Sequence, residues 1–247
     1  MRATAIEFRL RMAINAAIII LGFWAPWIEI WGIGQRMSTM EWFALQISRL
    51  GIVRFSAAVP VVIVIAALFA AAAVVFRVWG TAYLGPATVN SMQMRAGSVM
   101  ADGPYRYLRN PLYVGIWCMA AALAFLMPPT GAVFSIVLIT IFLFRLTLGE
   151  EAFLNARLGE PYKAYLRSAP RFFPRLRTSL AQAGTKPHWF RALLTELTPI
   201  GVLIAMAGLT WSYNDRLAGR VILIFFGASL IVRAFMPGVG VKTEPTE

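Results

Sequence analysis

Residues 111–151 read PLYVGIWCMAAALAFLMPPTGAVFSIVLITIFLFRLTLGEE, and this stretch decides the fold. Two apolar runs, 112–128 and 131–149, flank the turn Pro128-Pro129-Thr130-Gly131, which no helix runs through unbroken. Each run approaches the roughly 20 apolar residues that carry a helix across a bilayer. The pattern predicts a helical hairpin, which returns the chain to the side it left. Tyr113 and the pair Glu150-Glu151 are therefore expected at the same membrane face. A helix C-terminus disfavours carboxylates, so the pair needs a partner. A cationic ligand group is one reading; Arg145 and Arg157, at helical spacing, are the other.

Immediately before the hairpin, residues 98–110 read SVMADGPYRYLRN. A polar, turn-rich segment between apolar runs is suited to binding. Pro111 stands where a helix tolerates proline, and Asn110 before it is a candidate N-cap. The first-turn amides would then be open to an anion. The plainer reading is a capped helix start whose Tyr and Arg anchor at headgroups.

The whole chain has 247 residues, 59% of them hydrophobic and only 14% charged. Soluble domains carry about 25% charged residues, so an integral membrane protein is expected. Six spans are expected, at 12–31, 57–78, 112–128, 131–149, 193–212 and 220–237. The apolar run from Met12 is read as a retained span, because no small-residue cleavage pattern follows it. Trp24, Trp27 and Trp31 close it as an interfacial belt around Glu29. Residues 35–56 read as an interfacial amphipathic helix. Residues 178–188 read as a flexible linker, and Glu196 as an acid near a span end that reaches toward headgroups. The organisation expected is an N-terminal membrane region, 1–84, a core, 85–177, and a linker with two spans, 178–247.

The net charge of +12 fits the positive-inside rule better than nucleic-acid binding. The segments 1–11, 77–111 and 145–192 hold 16 Lys and Arg, against 5 in 32–56 and 213–220. That asymmetry puts both termini and the polar motif in the cytoplasm. One cysteine, Cys118, excludes an intramolecular disulfide and a cysteine-cluster metal site. One histidine, His188, argues against zinc chemistry and a histidine triad. No metal is expected, and the chemistry is left to Glu, Arg, Tyr, Asn and backbone groups.

The string GPYRYLRNPLYVG at 103–115, the hairpin, the Glu pair, LGEPYKAY at 158–165 and RFFP at 171–174 occur in that order. Together they resemble the isoprenylcysteine carboxyl methyltransferase family, part of a wider group that includes phospholipid methyltransferases. The family pattern is G-x-Y-x-x-x-R-H-P-x-Y-x-G, a hairpin, a Glu pair, G-E-x-Y-x-x-Y and an Arg-Phe end; the resemblance covers roughly 85–175. It implies an all-α membrane bundle that methylates a lipophilic, membrane-partitioning acceptor with S-adenosylmethionine, bound in a cytoplasm-facing pocket. Carried onto this chain, the cofactor-binding residues it implies are Ser98, Val99, Met100, Tyr105, Arg109, Asn110, Pro111, Leu112, Tyr113, Glu150 and Glu151. The acceptor-site residues it implies are Arg145, Tyr165 and Arg171. The chain departs from the family at Asn110, where the pattern has His, and at Gly97, where the carboxyl methyltransferases carry another His. Arg145 is also one position out of register.

Such a site needs neither His nor metal, because methyl transfer from a sulfonium depends on alignment and exclusion of water. Two other readings remain: an NADPH-dependent membrane sterol or enone reductase with a similar hairpin, and a non-catalytic membrane scaffold. The Glu pair followed by G-E-x-Y-x-x-Y favours methyl transfer over reduction.

Overall fold

The computed structural model describes residues 3–24, 37–51, 53–84, 94–95, 98–99, 101–175 and 177–235. Their regular structure is helical, apart from one two-residue antiparallel pairing. In chain order the elements are α1 (Ala5–Arg9), α2 (Arg11–Phe23), α3 (Thr39–Arg49) and α4 (Phe55–Tyr83). Then come β1 (Met94–Arg95), β2 (Ser98–Val99), a 3₁₀ turn (Gly103–Arg106), α5 (Pro111–Ala124) and α6 (Pro129–Leu158). The chain continues with α7 (Glu160–Ser168), α8 (Trp189–Thr195), α9 (Leu197–Ser212) and α10 (Asp215–Phe235).

Among the described residues two helices, α4 and α6, are long and apolar enough to cross a membrane, and α8 with α9 makes a third if that bent pair is one span. The six expected spans are thus not all matched. Helices α2 and α5 are apolar but have only 13 and 14 residues, short of the roughly 20 a crossing needs. Trp27, Glu29 and Trp31 lie outside the described residues. The sixth expected span falls in α10, which opens on Asp215, Arg216 and Arg220 and is not among the helices long and apolar enough. The fifth is broken at Glu196, where α8 and α9 meet at 70°.

The hairpin forms as expected. Helix α5 tightens at its end, with amides of Phe125, Leu126 and Met127 donating three residues back. Pro128 is the N-cap of α6 and Pro129 its first residue, a place where the missing amide costs nothing. Helix α6 runs unbroken past the Glu pair to Leu158 and stops at Gly159, whose φ is +65°.

Helix α4 is central, packed against α3, α5, α8, α9 and the 3₁₀ turn. Its Ala66 and Ala70 join Ala122, Leu123 and Ala124 of α5 and Val202 and Met206 of α9 in the main core. Such small side chains let helices approach closely without a solvent-driven hydrophobic effect. The tightest crossing joins α2 to α6 at Gly22 and Gly131. A methyl on Gly131 would overlap the Gly22 carbonyl, and one on Gly22 would sit 2.8 Å from Met127 Sδ.

The expected amphipathic helix within 35–56 is α3, opened by a capping box. Ser38 Oγ accepts from the Glu41 amide at 3.2 Å, and Glu41 Oε2 accepts from the Ser38 amide at 2.8 Å. Its first turn is tied to the hairpin bend: the amides of Thr39 and Met40 donate to Met127 O at 2.7 Å and Phe125 O at 2.9 Å.

Candidate functional site

The motif segment folds back onto α4 before α5 begins. Gly103 has φ +55°, and a Cβ there would overlap the Tyr83 ring, so a side chain is excluded on both counts. The Pro104 carbonyl accepts from the amides of Tyr107 and Leu108, which turns Leu108 fully inward. Tyr105 Oη donates weakly to Gly80 O at 3.4 Å, and Tyr165 Oη donates to Tyr105 O at 2.8 Å. Burial raises both phenol pKa values, reinforced at Tyr105 by the negative charge of Glu150 and at Tyr165 by Tyr162, so both stay protonated donors.

Arg109 then locks the motif onto the end of α6. Its Nη1 donates to Glu151 Oε1 at 2.7 Å, Nε to Ala169 O at 2.6 Å and Nη2 to Leu166 O at 2.8 Å. Its own amide donates to Pro170 O at 2.8 Å. Arg171 grips the same carboxylate bidentately, at 3.0 Å to Oε1 and 2.7 Å to Oε2. This holds its guanidinium pKa above the ordinary value. Asn110 does not cap α5 with its side chain; it is buried and its Nδ2 donates to Arg171 O at 3.2 Å. Arg109, Asn110, Glu151 and Arg171 therefore form one clasp of motif, hairpin end and RFFP segment.

Glu150 faces elsewhere. One residue is about 100° of helix, so the two carboxylates of the pair point to different neighbours. Glu150 lies within electrostatic reach of the Tyr113 phenol, which meets the expectation that the hairpin brings the two together. Among the described residues it has no salt bridge. Arg11 is the cation whose charge reaches both Glu150 and Tyr113. One turn earlier on α6, the fully buried Thr147 has an unpartnered Oγ1, and further along Asn155 has an unpartnered, buried Oδ1. A part-buried carboxylate with spare lone pairs, beside a phenol and an orphaned hydroxyl, fits a ligand ammonium or sulfonium.

The other expected residues are placed as follows. Ser98 and Val99 form β2, which pairs with β1 and lies against α7; Met100 and Gly97 lie outside the described residues. Pro111 is buried at the start of α5, and Leu112 packs where a Cβ on Gly80 would be, 2.7 Å from its Cδ2. Arg145 is away from both carboxylates of the pair: its Nη2 donates to both oxygens of Glu7 at 2.9 Å, and its carbonyl accepts from the Ala3 amide. The N-terminal segment is thus docked on α6 one turn before Glu150.

Two features escaped the reading of the sequence. Residues 178–188 are not a free linker. Asp102 Oδ1 and Oδ2 accept from the amides of Ala183, Gly184 and Thr185, at 2.9, 3.4 and 2.7 Å. Arg106 holds Leu180 O at 2.7 and 3.1 Å. Burial pushes the Asp102 pKa up, but its bonds to Thr185, Ala183 and Gly184 outweigh this and hold the carboxyl below its usual range. Glu196 does not reach headgroups: it is 2% exposed, and Arg77 grips it at 2.7 and 2.8 Å with Thr81 Oγ1 donating at 2.7 Å. The charges of this pair act on Tyr105. The lone acid in an apolar stretch was the available signal, since such groups are costly unless paired; the partner, 119 residues earlier, carried none.

No curated protein and no solved structure matches the chain. A family model, phospholipid methyltransferase, matches residues 53–160, from the start of α4 through the hairpin and the Glu pair to the first residue of α7. Over residues 53–160 the chain is similar to the phospholipid methyltransferase family.

Proposed function

We propose that this chain is a multi-pass membrane methyltransferase that uses S-adenosylmethionine, held at the ends of α5 and α6 that carry Tyr113 and Glu150. The observation that carries the reading is the division of labour in the Glu pair. Glu151 is saturated by Arg109 and Arg171, whereas Glu150 keeps acceptor capacity beside Tyr113. When bound, the cofactor supplies a methyl group activated on a sulfonium.

Glu150 would hold the ligand's cationic amino group, with Tyr113 fixing the carboxylate in orientation. Tyr105, tied to Tyr165 and α4, would form the opposite wall. The clasp around Glu151 would keep the motif against the hairpin and exclude water, the condition that alignment-driven transfer requires. We place the site on the cytoplasmic side from the distribution of Lys and Arg. The acceptor is a lipophilic or membrane-partitioning molecule entering laterally from the bilayer, in the manner of the isoprenylcysteine carboxyl methyltransferases.

The test is thermal stabilisation of detergent-purified protein by S-adenosylhomocysteine, with NADPH in parallel. Ligand at about 100 times its dissociation constant adds about 2.7 kcal/mol. Stabilisation by S-adenosylhomocysteine that Glu150→Gln abolishes is the expected result. Stabilisation by NADPH alone, or by neither ligand, overturns the reading.

A further inference from the structure

The N-terminal segment lies outside the residues that the family model matches, yet it is built against the part of α6 that carries Glu150. Helix α2 runs back along α6: Gly22 crosses Gly131, and Ile18 O accepts from Ser135 Oγ at 3.1 Å. That course carries the start of α2 toward the Glu pair. The segment before it is fixed there by main chain and charge. The Ala3 amide donates to Arg145 O at 3.1 Å, and both oxygens of Glu7 accept from Arg145 Nη2 at 2.9 Å. A Cβ on Gly149, next to Glu150, would lie 3.5 Å from Ala3 O. Phe8 and Tyr113 pack on one apolar cluster, with Ile18, Phe142 and Leu146.

This docking sets the position of Arg11, the first residue of α2. Its guanidinium stacks 4.6 Å over the Phe8 ring, and its Nη1 donates to Phe8 O at 2.8 Å. A guanidinium carries five N–H donors, so most of the fork is left over. Arg109 and Arg171 are taken by Glu151, and Arg145 by Glu7. Arg11 is half-buried and, among the described residues, has no salt bridge. Its charge acts on Glu150 and Tyr113 through space, without a direct bond to either.

An acid and a base that sense each other without touching suit a group that carries both opposite charges. An amine alone would use Glu150 and leave the guanidinium idle; an anion alone would do the reverse. The α-amino acid end of a ligand uses both, with ammonium and carboxylate on one carbon. It adds no net charge to a site whose own two charges balance.

We infer that Arg11 is a specificity-determining residue of the cofactor site, its guanidinium taking the ligand's α-carboxylate while Glu150 takes the α-ammonium. This rests on the methyltransferase reading and deepens it. The first helices, outside the family-matched stretch, become the part of the site that tells an amino acid end from a plain amine.

Isothermal titration of the full chain in detergent tests this with two ligands. One is S-adenosylhomocysteine; the other is its decarboxylated analogue, which keeps the ammonium and lacks the carboxylate. Wild type should prefer S-adenosylhomocysteine by about tenfold or more, the scale of a charge-assisted hydrogen bond. Arg11→Met, which keeps an unbranched stem beside Phe8, should lose that preference while the analogue binds as before. Arg11→Lys should keep part of it, as a point charge without the fork. Equal affinity of wild type for the two ligands overturns the assignment, whether or not the variants fold. Arg11→Met weakening both ligands alike overturns it too, because Arg11 then acts only on the structure. Unchanged preference in that variant overturns it in favour of a headgroup anchor. If wild type binds neither ligand, the methyltransferase reading itself fails and the assignment with it.

Discussion

Arg109 and Glu151 meet at 2.7 Å although 42 residues separate them, and the contact pins the motif to the far end of the hairpin. Both side chains are largely buried. Removing one partner of a buried pair costs about 3–5 kcal/mol, so Arg109→Ala should lower the melting temperature sharply. It also leaves the carbonyls of Leu166 and Ala169 without their donor. Arg109→Lys should recover little, because an ammonium cannot reproduce the three-way fork. A melting curve like the wild type's would remove the clasp from the account.

Tyr113→Phe separates binding from folding. The phenol stands beside Glu150, and a hydrogen bond that orients the carboxylate for a ligand is worth about 0.5–1.5 kcal/mol, so affinity for S-adenosylhomocysteine should fall several-fold while the ligand-free melt stays close to wild type. Isothermal titration in detergent measures the affinity, and thermal unfolding without ligand measures the melt. Unchanged affinity would mean that Tyr113 does not orient the carboxylate.

Glu196 should behave as a structural charge. Glu196→Ala leaves the Arg77 guanidinium buried without its carboxylate and should cost about 3–5 kcal/mol. Arg77 also crosses Gly115, where a Cβ would sit 2.6 Å from its Cγ and 3.2 Å from its backbone nitrogen. Gly115→Ala should therefore destabilise as well, by about 1–3 kcal/mol of overpacking. Chemical denaturation of the two variants checks the pair.

The strap at 178–188 should loosen in acid. Asp102 has a folded pKa held below its ordinary value of about 3.9. Its contribution is thus complete above that value and is lost as pH falls through the lower, folded pKa. Hydrogen exchange at the amides of Ala183, Gly184 and Thr185 should quicken there, and Asp102→Asn should remove the acid-dependent step. Exchange at Leu126, inside the hairpin bend, should not follow it.

The crossing of α2 over α6 admits no side chain at Gly22. Gly22→Ala would drive a methyl into Ser135 Oγ, whose hydroxyl donates to Ile18 O at 3.1 Å. The expected cost is about 1–3 kcal/mol, read as a lower midpoint in thermal unfolding. Gly208→Ala on α9, with open space around it, is the control and should be neutral or slightly stabilising.

By itself the sequence determined whatever depends on neighbours along the chain. The Pro128-Pro129 break made the hairpin legible, and the hairpin alone was enough to bring Tyr113 to Glu150. The apolar spacing within 35–56 marked an amphipathic helix, and the ordered motifs from Gly103 to Pro174 pointed to the family whose model residues 53–160 match. Tertiary structure alone decided how each charge is used. Glu150 and Glu151 are adjacent identical letters, yet a helix turns them by about 100° toward different partners, one shared with Arg109 and Arg171 and the other with Tyr113. Arg145 is bound to Glu7 and Glu196 to Arg77, across 138 and 119 residues. Such pairs follow no period, because a buried charge takes whichever opposite charge the packing of apolar helices brings within reach.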